Sequence, residues 1–269
     1  MSWDERQRAM LAEMGYRLPA WPAAAPAVEV PDEPPPAAAA PVAMAAPAAA
    51  PAVRAAAPTT ASIAAPAPAI AAAFAGLDWS TLREAVAACR SCGLCQQRRN
   101  AVFGNGAAMR AQWLVVTDPP DEADDAAGDA MSADAGRLLD RMLLAAGLTR
   151  TGDAPTAFVT PVVKCRPPRG RAPQPAELDA CEAVLARQVE LLQPRLVLAL
   201  GVQAARRLTG LTEPLGRLRG RVHAWRGLPV VVSYPPAYLL RTPADKAGAW
   251  DDLRLALQAA KAPARGRST

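Results

Sequence analysis

Four cysteines set the strongest limit on how this chain can fold. Cys89 and Cys92 form a C-x2-C pair, and Cys165 and Cys181 follow far downstream with C-x15-C spacing. A tight pair can put two thiolates on one centre, so a fold that uses all four must draw three distant segments together. Cys165 also sits inside Lys164-Cys165-Arg166-Pro167-Pro168-Arg169-Gly170-Arg171, a stretch that sets four positive charges beside two prolines. Soft thiolates next to a stiff basic loop point to a metal centre that braces a surface made for phosphate. Structural zinc is the alternative, although four-cysteine zinc sites usually use two tight knuckles. The fifth cysteine, Cys95, is read as a small packed side chain.

The rest of the composition divides the chain. From about Trp21 to Ala73 alanine and proline dominate, a composition that cannot bury a core and reads as an extended linker. Ahead of it, residues 1–20 form a short amphipathic segment in which Trp3, Met10, Leu11 and Met14 share a helical stripe. Residues 1–16 are therefore expected either to dock on a protein partner or to fold back on their own domain. Residues 74–262 make one globular domain, and 263–269 a basic tail. A net charge of +5 favours a polyanionic partner. The absence of an apolar signal core or a membrane-length apolar run predicts a cytoplasmic protein, and a monomer is expected. In that compartment cysteines serve metals or stay as thiols.

Within the globular part, Trp113–Thr117, Ala157–Val163, Arg195–Leu200 and Pro229–Ser233 read as buried strands. Helical spacing covers the segment after Trp79, 135–147, 176–192 and 244–260. Alternation of the two predicts a parallel sheet with helices on both faces, whose site lies where loops leave the carboxyl ends of the strands.

Several motifs then fall in a recognisable order. They are Cys89-x2-Cys92-x-Leu94, Arg98, Val102-Phe103-Gly104-x-Gly106, Val162-Val163-Lys164-Cys165-Arg166-Pro167-Pro168, Cys181, Leu200-Gly201, Arg219-Gly220-Arg221, Ala237-Tyr238-Leu239-Leu240-Arg241 and Trp250-Asp251-Asp252-Leu253. Over about residues 80–260 the chain resembles the family 4 uracil-DNA glycosylases, the iron–sulfur branch of that superfamily. The resemblance implies an α/β, three-layer fold with a central, mainly parallel four-stranded sheet flanked by helices. It also implies a [4Fe–4S] cluster on Cys89, Cys92, Cys165 and Cys181, with structural zinc the alternative. DNA would be gripped without sequence preference by Lys164, Arg166, Arg169, Arg171, Arg219 and Arg221, with Tyr238, Leu239 and Arg241 wedging beside a flipped base.

The family's base-cutting residues are substituted. Its Gly-Glu-x-Pro-Gly loop corresponds to Thr117-Asp118-Pro119-Pro120-Asp121, leaving Asp118 and Asp121 as the candidate catalytic carboxylates. The stacking phenylalanine falls at Met131, the uracil-reading asparagine at Pro161, and the histidine of His-Pro-Ala-Tyr at Pro235. The only histidine, His223, lies on another segment. Seven carboxylates between Asp118 and Asp134 are expected to repel phosphate. Two functions follow: a DNA repair glycosylase acting on a damaged base, or a non-catalytic iron–sulfur DNA-binding scaffold that recruits a partner through its N-terminal segment.

Overall fold

The computed structural model describes residues 67–261. The amphipathic N-terminal segment, most of the expected linker and the basic tail lie outside the described residues. No helix among them is long and apolar enough to cross a membrane.

Six strands form one sheet: β1 (Asn105–Gly106), β2 (Trp113–Thr117), β3 (Ala157–Pro161), β4 (Leu196–Leu200), β5 (Val222–Trp225) and β6 (Leu228–Ser233), in spatial order β1-β3-β2-β4-β6-β5. The four expected strands are the parallel centre, β3-β2-β4-β6. Two short strands, β1 and β5, pair antiparallel at the edges.

The central strands are buried on both faces because alternate residues feed two cores. Leu114 and Val116 of β2, Phe158 of β3, Val197 and Ala199 of β4, and Val230 and Val232 of β6 face one side. Their neighbours Trp113, Val115, Val159, Leu196, Leu198, Leu200 and Val231 face the other. A residue period of two thus sorts nearly continuous apolar runs into two layers. On the first face lie α1 (Ala67–Phe74), α2 (Trp79–Ala88), α5 (Pro175–Leu192) and α6 (Val202–Thr209); on the second, α4 (Ala133–Ala145) and α9 (Lys246–Lys261). Shorter helices α3 (Glu122–Ala127), α7 (Leu215–Leu218) and α8 (Pro236–Arg241) lie in the connections.

Helix α1 corrects the domain boundary. The linker was expected to run to Ala73, yet Ile70 and Phe74, one helical turn apart, are buried in the first core, and α1 packs against α5. The domain therefore begins at least seven residues earlier than its composition implies. Helix α2 starts where Asp78 accepts the Thr81 amide at 2.8 Å, a side-chain N-cap. Its first residue, Trp79, meets Phe103 and Phe158 edge-on at centroid separations of 5.1 and 4.9 Å. That aromatic contact seats the helix leading to the first cysteine pair on the sheet.

Candidate functional site

Thr117, Pro161, Leu200 and Ser233 are in register across the four parallel strands, so the loops that follow them leave one edge side by side. At a strand spacing of about 4.8 Å, this edge spans roughly 14 Å from Pro161 to Ser233, room for a nucleotide. The strand order reverses between β2 and β4, and that switch point is where folds of this kind receive ligands.

Here the switch point is filled from within. Asp118, directly after β2, turns its carboxylate onto the N-terminus of α6. Oδ1 accepts the amides of Gln203 and Ala204 at 2.7 and 3.0 Å, and Oδ2 that of Val202 at 3.2 Å. Burial pushes the Asp118 carboxyl above the usual range, and the three amides pull against that rise. Gly201 makes the approach possible, since a β-carbon there would sit 2.2 Å from Asp118 Oδ2. Asp118 is thus a helix cap, and both of its oxygens are engaged by the first amides of α6. Asp118→Asn should lower stability by about 1–3 kcal/mol, because one amide acceptor becomes a donor aimed at other donors. A urea midpoint equal to that of the parent protein would show that the cap contributes nothing.

Asp121 is the free carboxylate. It is exposed at the N-terminus of α3, and only its Oδ1 is engaged, accepting the Asp124 amide at 2.9 Å. Two acids of the remaining stretch, Asp124 and Asp125, are buried and work as internal scaffolding. Asp124 accepts the Ser132 amide and hydroxyl, both at 2.7 Å, and Asp125 accepts the backbone amides of Arg99 and Asn100. Asp121, Glu122, Asp129 and Asp134 of the same stretch remain exposed.

Pro161 is buried at the end of β3, with its carbonyl accepting from Lys164 at 2.9 Å. Pro235 caps α8, its carbonyl accepting from Tyr238 and Leu239, and Pro236 takes the first helical position, where a missing N–H costs nothing. Met131 stands half-buried against the second core with φ 53°. Its carbonyl is held at 3.0 Å by Arg150, which also binds Asp140, Asn105 and the Ala130 carbonyl. Arg150 was not singled out from the sequence; a lone arginine in a polar turn gives no sign that it will be buried.

The basic residues separate into three groups. Lys164 was expected on the DNA surface but is 2% exposed. Its ammonium donates to Thr160, the Pro161 carbonyl and Gln188 (3.0 Å), and burial lowers its pKa to about 7. Gln188 and Thr160 in turn hold the Phe103 carbonyl, so this lysine ties three segments together inside the fold. Arg219 was also expected to meet DNA, yet its side chain is 14% exposed and paired with Asp252 at 2.6 Å. Its guanidinium lies 3.8 Å from the Tyr234 ring centroid. Arg171 is forked onto Glu177, at 2.8 and 2.6 Å; Arg166 meets Glu122 at 3.1 Å and Arg221 meets Glu213 at 2.8 Å. Arg169, Arg217 and Arg241 are exposed and have no ion-pair partner among the described residues.

The wedge also needs a correction. Leu239 is 1% exposed and belongs to the interior, whereas its neighbour Leu240 is 42% exposed. On a short helix successive residues point about a quarter-turn apart, and α8 turns Leu240 and Arg241 outward. The hydroxyl of Tyr238 donates to Asp245, holding α8 to the turn that follows it.

Cys89, Cys92, Cys165 and Cys181 line one small cavity between α2, the basic loop and α5, together with Cys95, Arg98 and Lys164. None is in a disulfide. Arg98 donates to Cys165 Sγ at 3.0 Å and to the Ala87 carbonyl at 2.6 Å. Burial pushes the thiol of Cys165 up to about 11 and that of Cys181 up to about 12, so metal binding here must displace protons. No group of three or more His, Cys, Asp or Glu among the described residues is arranged around a single ion. A cubane spreads its thiolates over four irons, and a cavity ringed by thiols with the Arg98 guanidinium beside it suits such a donor set. Cys95, expected to lie apart from the set, lines the same cavity.

The comparisons agree with this geometry. Residues 103–254 match the model of the uracil DNA glycosylase superfamily. A type-4 uracil-DNA glycosylase of Pyrobaculum aerophilum is 38% identical over 176 residues, covering 62% of this chain and 87% of the relative. Type-4 uracil-DNA glycosylases of Saccharolobus solfataricus and Thermotoga maritima are 32% and 34% identical; the alignments span 60% and 59% of this chain, and 77% and 81% of those proteins. From the strand order at the switch point to the motifs that line its edge, this chain belongs to the uracil DNA glycosylase superfamily.

Proposed function

We propose that the protein is a DNA repair glycosylase of this superfamily, hydrolysing the bond between a damaged base and deoxyribose, with a [4Fe–4S] cluster as structural brace. The observation that carries the reading is the edge formed by Thr117, Pro161, Leu200 and Ser233, flanked by exposed arginines and covered by the superfamily match from end to end. Cleavage needs a water that attacks C1′ while the base leaves with the bonding electrons and is then protonated. Asp121, with one oxygen free, is the carboxylate that orients that water. Pro161 and Pro235 offer no side-chain donor or acceptor, so a base at this edge is held by shape, by backbone carbonyls and by Tyr234, not by an amide or imidazole. Uracil is consequently not the favoured base.

Cys92, Cys165 and Cys181, with a fourth thiol, would hold the cluster, whose chemistry when bound is to cross-link α2, the basic loop and α5. Arg98, which already donates to Cys165, would balance part of its negative charge. Arg169 and Arg241 take phosphates, while Arg166 and Arg221 sit in exposed ion pairs weak enough to exchange for one. Arg169→Ala and Arg241→Ala should each reduce the salt slope of DNA binding by about 1 without lowering the melting temperature. Lys164→Ala should leave the slope unchanged and lower the melting temperature. A slope change in Lys164→Ala alone would reverse these assignments.

One observation favours a second reading. With Asp118 committed to capping α6 and both pocket prolines apolar, the edge could serve as a DNA-binding scaffold without cleavage. Release of a base from DNA by the parent protein, lost in Asp121→Asn with DNA affinity unchanged, separates the two.

A further inference from the structure

Residues 89–95 read Cys-Arg-Ser-Cys-Gly-Leu-Cys, so the first cysteine pair is in fact two overlapping C-x2-C pairs, Cys89 with Cys92 and Cys92 with Cys95. The fold does not separate them. Cys89 ends helix α2, and a single 3-10 turn, Gly93–Gln96, carries Cys95 back toward the cavity that Cys89, Cys92, Cys165 and Cys181 line. Leu94, 1% exposed, anchors that turn in the core, and the Cys95 amide donates to the Cys92 carbonyl at 3.4 Å. Both Cys89 and Cys95 are half-buried, whereas Cys165 and Cys181 are buried. The thiol of Cys89 donates to the Ser91 hydroxyl at 3.4 Å, a contact readily given up.

A [4Fe–4S] cluster takes four thiolates, and this cavity has five. Cys92 is common to both tight pairs, and neither Cys165 nor Cys181 belongs to a C-x2-C pair in the sequence. We infer that the fourth ligand is redundant: Cys89 or Cys95 can each close the cluster, with the other left as a free thiol beside it. The inference rests on the cluster reading above. Whichever thiol binds gives up its proton to solvent, and the other keeps its own; no electron changes hands. The family resemblance leaves Cys95 outside its set of four, and it is the turn 93–96 that brings it to the same cavity.

The test is made on the full chain, purified anaerobically and reconstituted with equal amounts of ferrous and ferric iron and with sulfide, with iron, sulfide and visible charge-transfer absorbance measured per chain. Cys89→Ser and Cys95→Ser are each expected to keep about four irons per chain, the complement of one cluster. The double substitution should lose most of them, as should Cys181→Ser. In loaded Cys89→Ser, Cys95 should resist alkylation by iodoacetamide, while in loaded Cys95→Ser it is Cys89 that resists. Cys89→Ala, which keeps a small side chain at the helix end, guards against local misfolding, and amide circular dichroism reports folding separately. Iron lost from folded Cys89→Ser and Cys89→Ala but kept by the parent overturns the redundancy and leaves the cluster in place. Iron retained by the double variant also overturns it. A parent protein that takes up no iron overturns the cluster reading together with this one.

Discussion

Asp252→Ala is expected to destabilise the protein by about 3–5 kcal/mol, the range found when one partner of a buried ion pair is removed. Asp252 is 2% exposed and lies on α9 beneath the end of β6. It accepts from Arg219 Nε at 2.6 Å and from the Ser233 hydroxyl at 2.7 Å. Without it the Arg219 guanidinium keeps its charge in a mostly buried position, and the Ser233 hydroxyl loses its acceptor. The effect should reach the edge, because Arg219 stacks on Tyr234, whose ring packs 5.0 Å from that of Tyr238. The segment from Tyr234 to Arg241 should therefore exchange amide hydrogens faster in the variant. Arg219→Leu combined with Asp252→Leu should recover part of the loss, since a buried pair is often no better than apolar packing. A urea midpoint for Asp252→Ala within error of the parent's would refute the ion-pair account.

Cys181→Ser should have the second large effect, and only in protein that carries its cluster. Cys181 is fixed on α5 and lines the cavity, so under the proposed cluster reading it is the ligand that would join that helix to the other two segments. A ligand present at about 100 times its Kd and bound only to the native state contributes about 2.7 kcal/mol, and loss of the cluster should cost at least that. Trypsin should then cut at Arg169 or Arg171 faster than in the loaded parent. Equal melting temperatures for loaded parent and Cys181→Ser would mean that the cluster braces nothing.

Long apolar runs made the four central strands legible, since a strand buried on both faces needs no alternation to be recognised. The edge strands were not: β1 has two residues, and β5 is half exposed, so neither carries a hydrophobic signature. Helix α1 was hidden by composition, because Ala67–Phe74 differs from the alanine-rich tract before it chiefly in Ile70 and Phe74. The site was legible as positions and not as roles. Lys164 stands among arginines in sequence, and nothing local signals that Thr160 and Gln188 will enclose its ammonium. Asp118 looks like a spare carboxylate until α6 is known to begin directly opposite it. The family resemblance grouped four cysteines that do line one cavity and left out the fifth, although Cys95 stands at the same C-x2-C spacing from Cys92 and lines that cavity too.

The most direct test of the central claim is base release by anaerobically purified, iron-loaded protein. Single-stranded and duplex oligonucleotides, each with one uracil, deaminated purine or alkylated base, are incubated and then treated with alkali to cut at abasic sites. The account predicts strand cleavage at one or more of these bases, weak or absent at uracil, and lost in Asp121→Asn with salt-sensitive DNA binding intact. Binding without release from any of them would contradict the glycosylase reading and leave the scaffold.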